Sequence, residues 1–300
     1  MSAGIYAARK KLKAILLAKE LGGQLMEGYQ IDNFLGHFGT PGVELVQKFA
    51  DHLKKFDKIK SSGNYDLEIR EGELVIKLER KDDYFSAQTE KNIYEGKTVI
   101  IATGKKQRVL DVPGAKQFEG KGISYCATCD APLFRDKIVA VIGAGDSGQD
   151  TAWQLAQYAA KVYFINKYRE LRGNNIALQE KIKSSGKIEI IGGVLPKEVR
   201  GEKFINELIF INPETKQEGS VKVEGVFVEI GSVPATDFLN RLLQLNQKGE
   251  IVVDHKTFAA SVPGIFAAGD VADGLYKQIT IGAGDGAKAM LSAYEYLKKK

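Results

Sequence analysis

The sequence predicts an α/β protein built on parallel strands, in two units of which the second is inserted in the first. Three observations carry this. Apolar β-rich runs alternate with amphipathic helical segments along most of the 300 residues. A glycine-rich turn, Gly143-Ala144-Gly145-Asp146-Ser147-Gly148, sits between an apolar run at 138–142 and a helical segment. A strand and helix at the C-terminus lack neighbours of their own and need an earlier sheet to join.

In chain order, 4–12 reads as a helix and 13–17 as a buried strand. Residues 41–56 place Val43, Leu45, Val46, Phe49 and Leu53 on a helical rhythm. Residues 63–99 change period: short alternating segments at 65–70, 73–78 and 83–88, separated by turn residues, predict an antiparallel meander. A buried strand at 98–102 stops at Thr103 and Gly104. The second unit opens near Val112, Pro113 and Gly114, with a buried strand at 137–142, a helix at 148–160 and a strand at 161–165, one complete βαβ unit. A strand at 188–191, a hairpin-like region at 204–223 and a buried run at 225–230 follow, ending at Gly231 and Pro234. Strands at 251–253 and 264–268 and a helix from about 279 to 297 close the chain. The first domain is therefore 1–110 plus 232–300, and the inserted one is 111–231.

Composition narrows the function. With 44% hydrophobic and 27% charged residues the chain is neither disordered nor membrane-spanning. No apolar run reaches the ~18 residues that a bilayer crossing needs, and the stretch at 14–17 is flanked by Lys13 and Lys19, which argues against a signal peptide. The expected location is the cytoplasm. Net charge is a mild +5, and the dense basic runs at 9–13 and 298–300 carry no interleaved aromatics, so nucleic acid is not an expected partner. Thirty-two glycines against 7 prolines suit close approach of bare backbone to a ligand.

The glycine-rich turn has the physical form of a dinucleotide loop. Gly143 makes the tight turn, Gly145 lets backbone approach a pyrophosphate, and Gly148 lets helix pack on strand; Asp146 and Ser147 complete the loop, and the N-terminus of the helix it opens favours the anion. The bland alternative is a glycine turn without a ligand. At the end of the next strand, an acidic residue would bind the ribose hydroxyl of NAD. Here stand Asn166 and Lys167, with Arg169 and Arg172 following, so NADPH is favoured over NADH, against a solvated basic loop as the plain reading.

The only two cysteines form Cys126-Ala127-Thr128-Cys129, followed by Asp130. Such a pair is half a zinc site, a redox couple or a coincidence. Zinc needs more ligands, and His37, His52 and His255 are scattered far from it. Two intervening residues allow a disulfide that opens reversibly with a thiolate of lowered pKa, and Asp130 is placed to relay a proton to a leaving thiolate. A nicotinamide passes a hydride and does not readily reduce a disulfide directly, so FAD is the expected intermediary.

These residues resemble the low-molecular-weight thioredoxin reductases and the related flavoprotein subunit of alkyl hydroperoxide reductase. The resemblance runs through Gly22-Gly23-Gln24-Leu25, Asn33-Phe34, Ala102-Thr103-Gly104, the cysteine motif, the 143–148 loop, Gly264-Ile265-Phe266-Ala267-Ala268-Gly269-Asp270 and Lys277-Gln278-Ile279. It implies two Rossmann-like domains, FAD bound by the discontinuous one and NAD(P)H by the inserted one. Gln24 and Asn33 would contact the flavin or its ribityl chain, Asp270 the ribityl hydroxyls, and the backbone of Gln278 and Ile279 the pyrimidine edge, where a helix N-terminus suits a reduced flavin. Cys129 would face the flavin, Cys126 would attack the partner, and Asp130 would be the acid. A homodimer, a thioredoxin-like protein disulfide as partner, and a rotation of the inserted domain about 109–114 and 229–234 are also implied.

Two departures stand out. The family opens with a strand and its own GxGxxG for the FAD pyrophosphate; here Met1 already lies in the helix that follows, so both are missing from this sequence. The expectation is weak FAD binding by the chain as written, recovered by an N-terminal segment of roughly 15 residues. Where NADP-specific members carry His-Arg-Arg, this chain has Asn166-Lys167-Tyr168, although Arg172 matches the later arginine. The rival readings are a peroxiredoxin- or glutaredoxin-linked reductase and a flavin-poor, non-catalytic nucleotide-binding module.

Overall fold

The computed structural model describes residues 1–28, 30–59, 63–173 and 175–300. They divide into two units, Met1–Lys106 with Val233–Lys300 and Gln107–Ser232.

The first unit starts with α1 (Ser2–Arg9), which buries Ala7 and Ala8. Gly4 permits its close packing, since a methyl there would stand 3.0 Å from the Leu53 side chain and 3.1 Å from that of Leu16. After β1 (Ala14–Ala18), α2 (Gly42–Lys54) turns Leu45, Val46, Ala50 and Leu53 inward. β2 (Leu67–Glu71) runs parallel to β1, with Ala14 opposite Leu67. This corrects the assignment of 65–70 to the meander. The alternation there is not a buried face against a wet one: Glu68 is itself buried, because Lys58, at 2.5 Å, and Arg70 both pair with it. The meander is instead β3 (Val75–Arg80), β4 (Phe85–Thr89) and β5 (Ile93–Gly96), antiparallel throughout. β6 (Val99–Ile101) and β7 (Lys105–Gln107) lead out of the unit. β1 and β6 were both expected to be buried strands, yet Ala14, Leu16, Leu17, Ala18, Val99 and Ile100 are only half-buried and Ile15 is exposed.

The second unit is the more regular. Its strands β8 (Ile123–Ser124), β9 (Ile138–Gly143), β10 (Lys161–Asn166) and β11 (Ile188–Gly192), with β15 (Gly225–Glu229), form one parallel sheet in the order β11-β10-β9-β15-β8. Parallel strands covered on both faces carry near-continuous apolar runs, as β9 and β15 do. Val139, Val141 and Phe227 face a core with α3 (Ala127–Asp130), α4 (Asp146–Ala156) and α5 (Ile176–Ser184). Ala140, Ile142, Val226 and Val228 point the other way, into a core shared with an antiparallel sheet of β12 (Leu195–Gly201), β13 (Ile205–Ile211) and β14 (Glu218–Lys222). α5 and β12 were missed in the sequence: the polar residues of IALQEKIKS and LPKEVRG leave only Leu178, Ile182 and Val199 buried, too few to show a period.

The chain then pairs β16 (Ser232–Pro234) with β7, places β17 (Ile265–Ala267) parallel to β6, and ends in α6 (Ile279–Lys298). Residues 251–253 do not make the expected strand. Ile251 and Val253 form isolated bridges to Leu245, Ala272 and Ala260, and both are buried in the core around Phe266 and Leu239.

Candidate functional site

In the second unit, β9 runs straight into the glycine loop, and its three glycines do different work. A methyl on Gly143 would lie 2.5 Å from the Glu229 carbonyl of the neighbouring strand, and one on Gly148 would be 3.3 Å from the Gly143 backbone and the Phe164 ring. A methyl on Gly145 would meet nothing within 4 Å. Gly143 and Gly148 are therefore demanded by packing, whereas Gly145 leaves open, exposed backbone at the start of α4. The N-cap residue Gly145 has no side chain to cap that helix, and a helix N-terminus of this kind favours an anion. Asp146 and Ser147, beside them, are exposed. The loop fits a dinucleotide pyrophosphate.

A second loop, 166–173, is tied to the first. The Arg172 N–H donates to Ala144 O at 3.1 Å, and Gln149 Nε2 donates to the carbonyls of Arg172 and, at 3.5 Å, Ala144. Asn166 is fully buried and spent on closing this loop: it donates to Glu170 O and accepts from the Tyr168 N–H, both at 2.9 Å. Lys167 and Arg172 remain exposed and converge on the Tyr168 ring, 4.9 Å and 3.9 Å from its centre. Gln149 and Tyr168 carry roles that no sequence motif signals, since each acts through a fold-dependent neighbour.

Cys126 and Cys129 form a disulfide with Cα atoms 5.4 Å apart. The short α3 holds the pair: the Cys129 N–H donates to Cys126 Sγ at 3.2 Å and the Asp130 N–H to Cys126 O at 3.1 Å. Cys129 is exposed and Cys126 half-buried. Asp130 accepts a 2.6 Å bond from the Ser124 hydroxyl. Just before the pair, the Tyr125 phenol accepts from the Leu110 N–H at 3.1 Å, and burial pushes its pKa up.

In the first unit the segments around Asn33, Glu250 and Asp270–Gln278, distant in sequence, come together. Asn33 Nδ2 donates to Gln278 Oε1 at 2.9 Å across 245 positions. Lys277 Nζ donates to the carbonyls of Ala272 and, at 3.4 Å, Asp270, bracing the turn after β17, and pairs with Glu250 at 3.2 Å. Lys105 reaches the same carboxylate at 3.5 Å. Burial opposes ionisation of Glu250, but Asn246 and the two lysines outweigh it and hold its carboxyl below the ordinary range. Lys277 is thus engaged inward. Gly269, at φ 73°, donates its N–H to Asp285 at 3.4 Å, and burial raises the Asp285 pKa. Gln278 precedes α6, whose first residue is Ile279 and whose N-terminus has no side-chain cap. Thr103 Oγ1 donates to Ala235 O at 2.9 Å, between exposed Ala102 and half-buried Gly104, which at φ 65° leaves open space beside it. Gly23, Gln24 and Leu25 sit on a separate 3-10 turn packed on α2. Neither Glu250 nor Asp285 is marked by a motif; for Asp285 the signal available is a single carboxylate in the otherwise uncharged stretch 279–287.

Among the described residues no helix is long and apolar enough to cross a membrane, and no group of three His, Cys, Asp or Glu side chains is placed to hold a metal ion.

Comparison with known proteins agrees with this geometry. The family model for pyridine nucleotide-disulphide oxidoreductases matches residues 1–286. An NADH dehydrogenase of Bacillus subtilis (strain 168) is 38% identical over 297 residues, covering 99% of this chain and 56% of that protein. An alkyl hydroperoxide reductase subunit of Staphylococcus aureus (strain NCTC 8325 / PS 47) is 38% identical with the same coverage. This chain spans about half the length of these relatives. Among solved structures, thioredoxin reductase of Lactococcus lactis in its FR conformation superposes with a TM-score of 0.87 at 32% identity, over 100% of this chain and 95% of that one. Thioredoxin reductase of T. acidophilum gives 0.84 at 36%, over 98% and 93%.

Proposed function

The chain belongs to the pyridine nucleotide-disulphide oxidoreductase family, and on that premise we propose that it carries electrons from NADPH through FAD to the Cys126–Cys129 disulfide and on to a protein disulfide of the thioredoxin type. The observation that supports this most directly is the disulfide itself, held beside Asp130 in the same unit as an open nucleotide loop. FAD, when bound, supplies the step between a two-electron hydride carrier and a dithiol. For the nicotinamide nucleotide, Gly145 and the first turn of α4 receive the pyrophosphate, and Lys167 and Arg172 meet the 2′-phosphate. For FAD, Gln24, Asn33, Asp270, Gln278 and Ile279 supply polar groups, and Gly23, Leu25, Ala102, Thr103 and Gly104 complete the motifs that would hold it. Lys277 serves by bracing the turn at Asp270 and Ala272 rather than by touching the cofactor. In the disulfide, Cys129 receives electrons, Cys126 attacks the partner and Asp130 gives the proton.

A second partner class has its own support: relatives at 38% identity are named as subunits of alkyl hydroperoxide reductase, so a peroxide-reducing thiol protein is the alternative acceptor. The test follows oxidation of NADPH or NADH by FAD-supplemented protein, with thioredoxin or a peroxiredoxin as acceptor. Faster turnover with NADPH and thioredoxin supports the first reading; faster turnover with the peroxiredoxin replaces it.

A further inference from the structure

A carboxyl beside a disulfide is useful as an acid only if it stays there while its proton comes and goes. Asp130 ends a single helical turn and is half-buried, so its side chain needs a tether. Ser124 supplies one. Its hydroxyl donates to Asp130 Oδ2 at 2.6 Å and accepts from the Cys126 N–H at 3.1 Å, and the Cys126 carbonyl lies 3.4 Å from the same oxygen. Ser124 is 6% exposed, so the serine end of these bonds is shielded from water. It is also firmly mounted: β8 pairs with β15, and Ser124 lies opposite the fully buried Phe227.

A serine oxygen carries one proton and two lone pairs, which is what an acid partner needs. With Asp130 ionised, the serine proton points at Oδ2. With Asp130 protonated, the carboxyl proton points at Ser124 Oγ and the serine proton turns to the Cys126 carbonyl. Both states keep their hydrogen bond, and the carboxyl keeps its place.

We propose that Ser124 is a positioning residue that holds Asp130 against the Cys126–Cys129 pair through the gain and loss of its proton. This rests on the reading of Asp130 as the acid of that site. Opening of the disulfide by excess dithiothreitol tests it without nucleotide or flavin, so a failure here is distinct from a failure of the electron path. In that exchange a reagent thiolate attacks one sulfur, the S–S bond breaks and the released sulfur takes a proton. The second reagent thiol then closes a cyclic disulfide and frees the other sulfur, so the protein gains two electrons and two protons that the reagent loses.

Thiols are counted by alkylation at timed intervals. Ser124→Ala is expected to open about tenfold more slowly at pH 7, the equivalent of about 1.4 kcal/mol. Ser124→Thr, which keeps the hydroxyl, is expected within about twofold of the wild type, and Ser124→Ala is expected to cost nothing further in an Asp130→Asn background. Wild-type speed in Ser124→Ala, an undiminished loss in the Asp130→Asn background, or Ser124→Thr as slow as Ser124→Ala would each overturn the proposal. Asp130→Asn opening as fast as the wild type removes the acid reading and the proposal with it, leaving the cysteine assignment intact.

Discussion

The two units prepare for cofactors in opposite ways. In the inserted unit the nucleotide loop is six consecutive residues at the end of one buried strand, and the disulfide is four consecutive residues on one helical turn. In the discontinuous unit the candidate site is drawn from the segments around Asn33, Glu250 and Asp270–Gln278, and joined by a side-chain bond across 245 positions and a half-exposed pair of lysines on one carboxylate. Local geometry makes the first site robust, and long-range charge makes the second one conditional. Substitutions of exposed functional groups in the inserted unit should therefore change chemistry without unfolding, and those in the discontinuous unit should change stability and cofactor retention together.

The largest effect is expected at the cysteines. Cys126→Ser or Cys129→Ser should lower NADPH-driven reduction of a protein disulfide by on the order of a thousandfold or more, while reduction of an artificial dye that takes electrons before the disulfide is retained. Equal loss of both activities would place the fault in folding and erase the contrast.

At Glu250 the expected effect is on stability. Glu250→Gln strands Lys105 and Lys277 without their counter-charge, and because both lysines are partly exposed the loss should be about 2 kcal/mol rather than the full value for a buried pair. The folded-state pKa of Glu250 is depressed, so its contribution is present above the unfolded carboxylate value and fades as pH falls through the folded one. The gap between wild-type and variant denaturation midpoints should therefore close in acid; a gap independent of pH would mean that shape, not charge, matters there.

The glycine loop offers the sharpest separation of packing from binding. Gly143→Ala, which drives a methyl against Glu229 O, should destabilise by about 1–3 kcal/mol. Gly145→Ala, with open space around it, should leave the melting temperature unchanged and raise the KM for NADPH about tenfold, or about 1.4 kcal/mol. Matching melting curves and matching KM values for both variants would deny the loop its ligand.

Smaller again is coenzyme choice. Lys167→Ala should raise the KM for NADPH by up to about tenfold through loss of one charge-assisted contact, with the KM for NADH nearly unchanged. Equal use of both coenzymes by the wild type would reduce the basic loop to surface.

What the sequence made legible follows the same division. The βαβ core, the 143–148 loop and the Cys126–Cys129 motif stood out because their determinants are neighbours along the chain. The parallel pairing of β2 with β1 did not, since Glu68 imitates a solvent-facing residue while paired inside. Asn166 stands at the end of β10, the place of a ribose contact in this fold, but its amide is consumed by loop closure. Glu250 and Ser124 carry no motif at all; each matters only because the fold brings Lys277 or Asp130 to it.

The central claim is that nicotinamide electrons reach Cys126 and Cys129. Anaerobic titration of FAD-supplemented protein with stoichiometric NADPH, followed by alkylation and mapping of the modified residues, tests it directly. The account predicts two new thiols per chain, at Cys126 and Cys129, for each NADPH consumed; NADPH consumed with the disulfide left intact would contradict it.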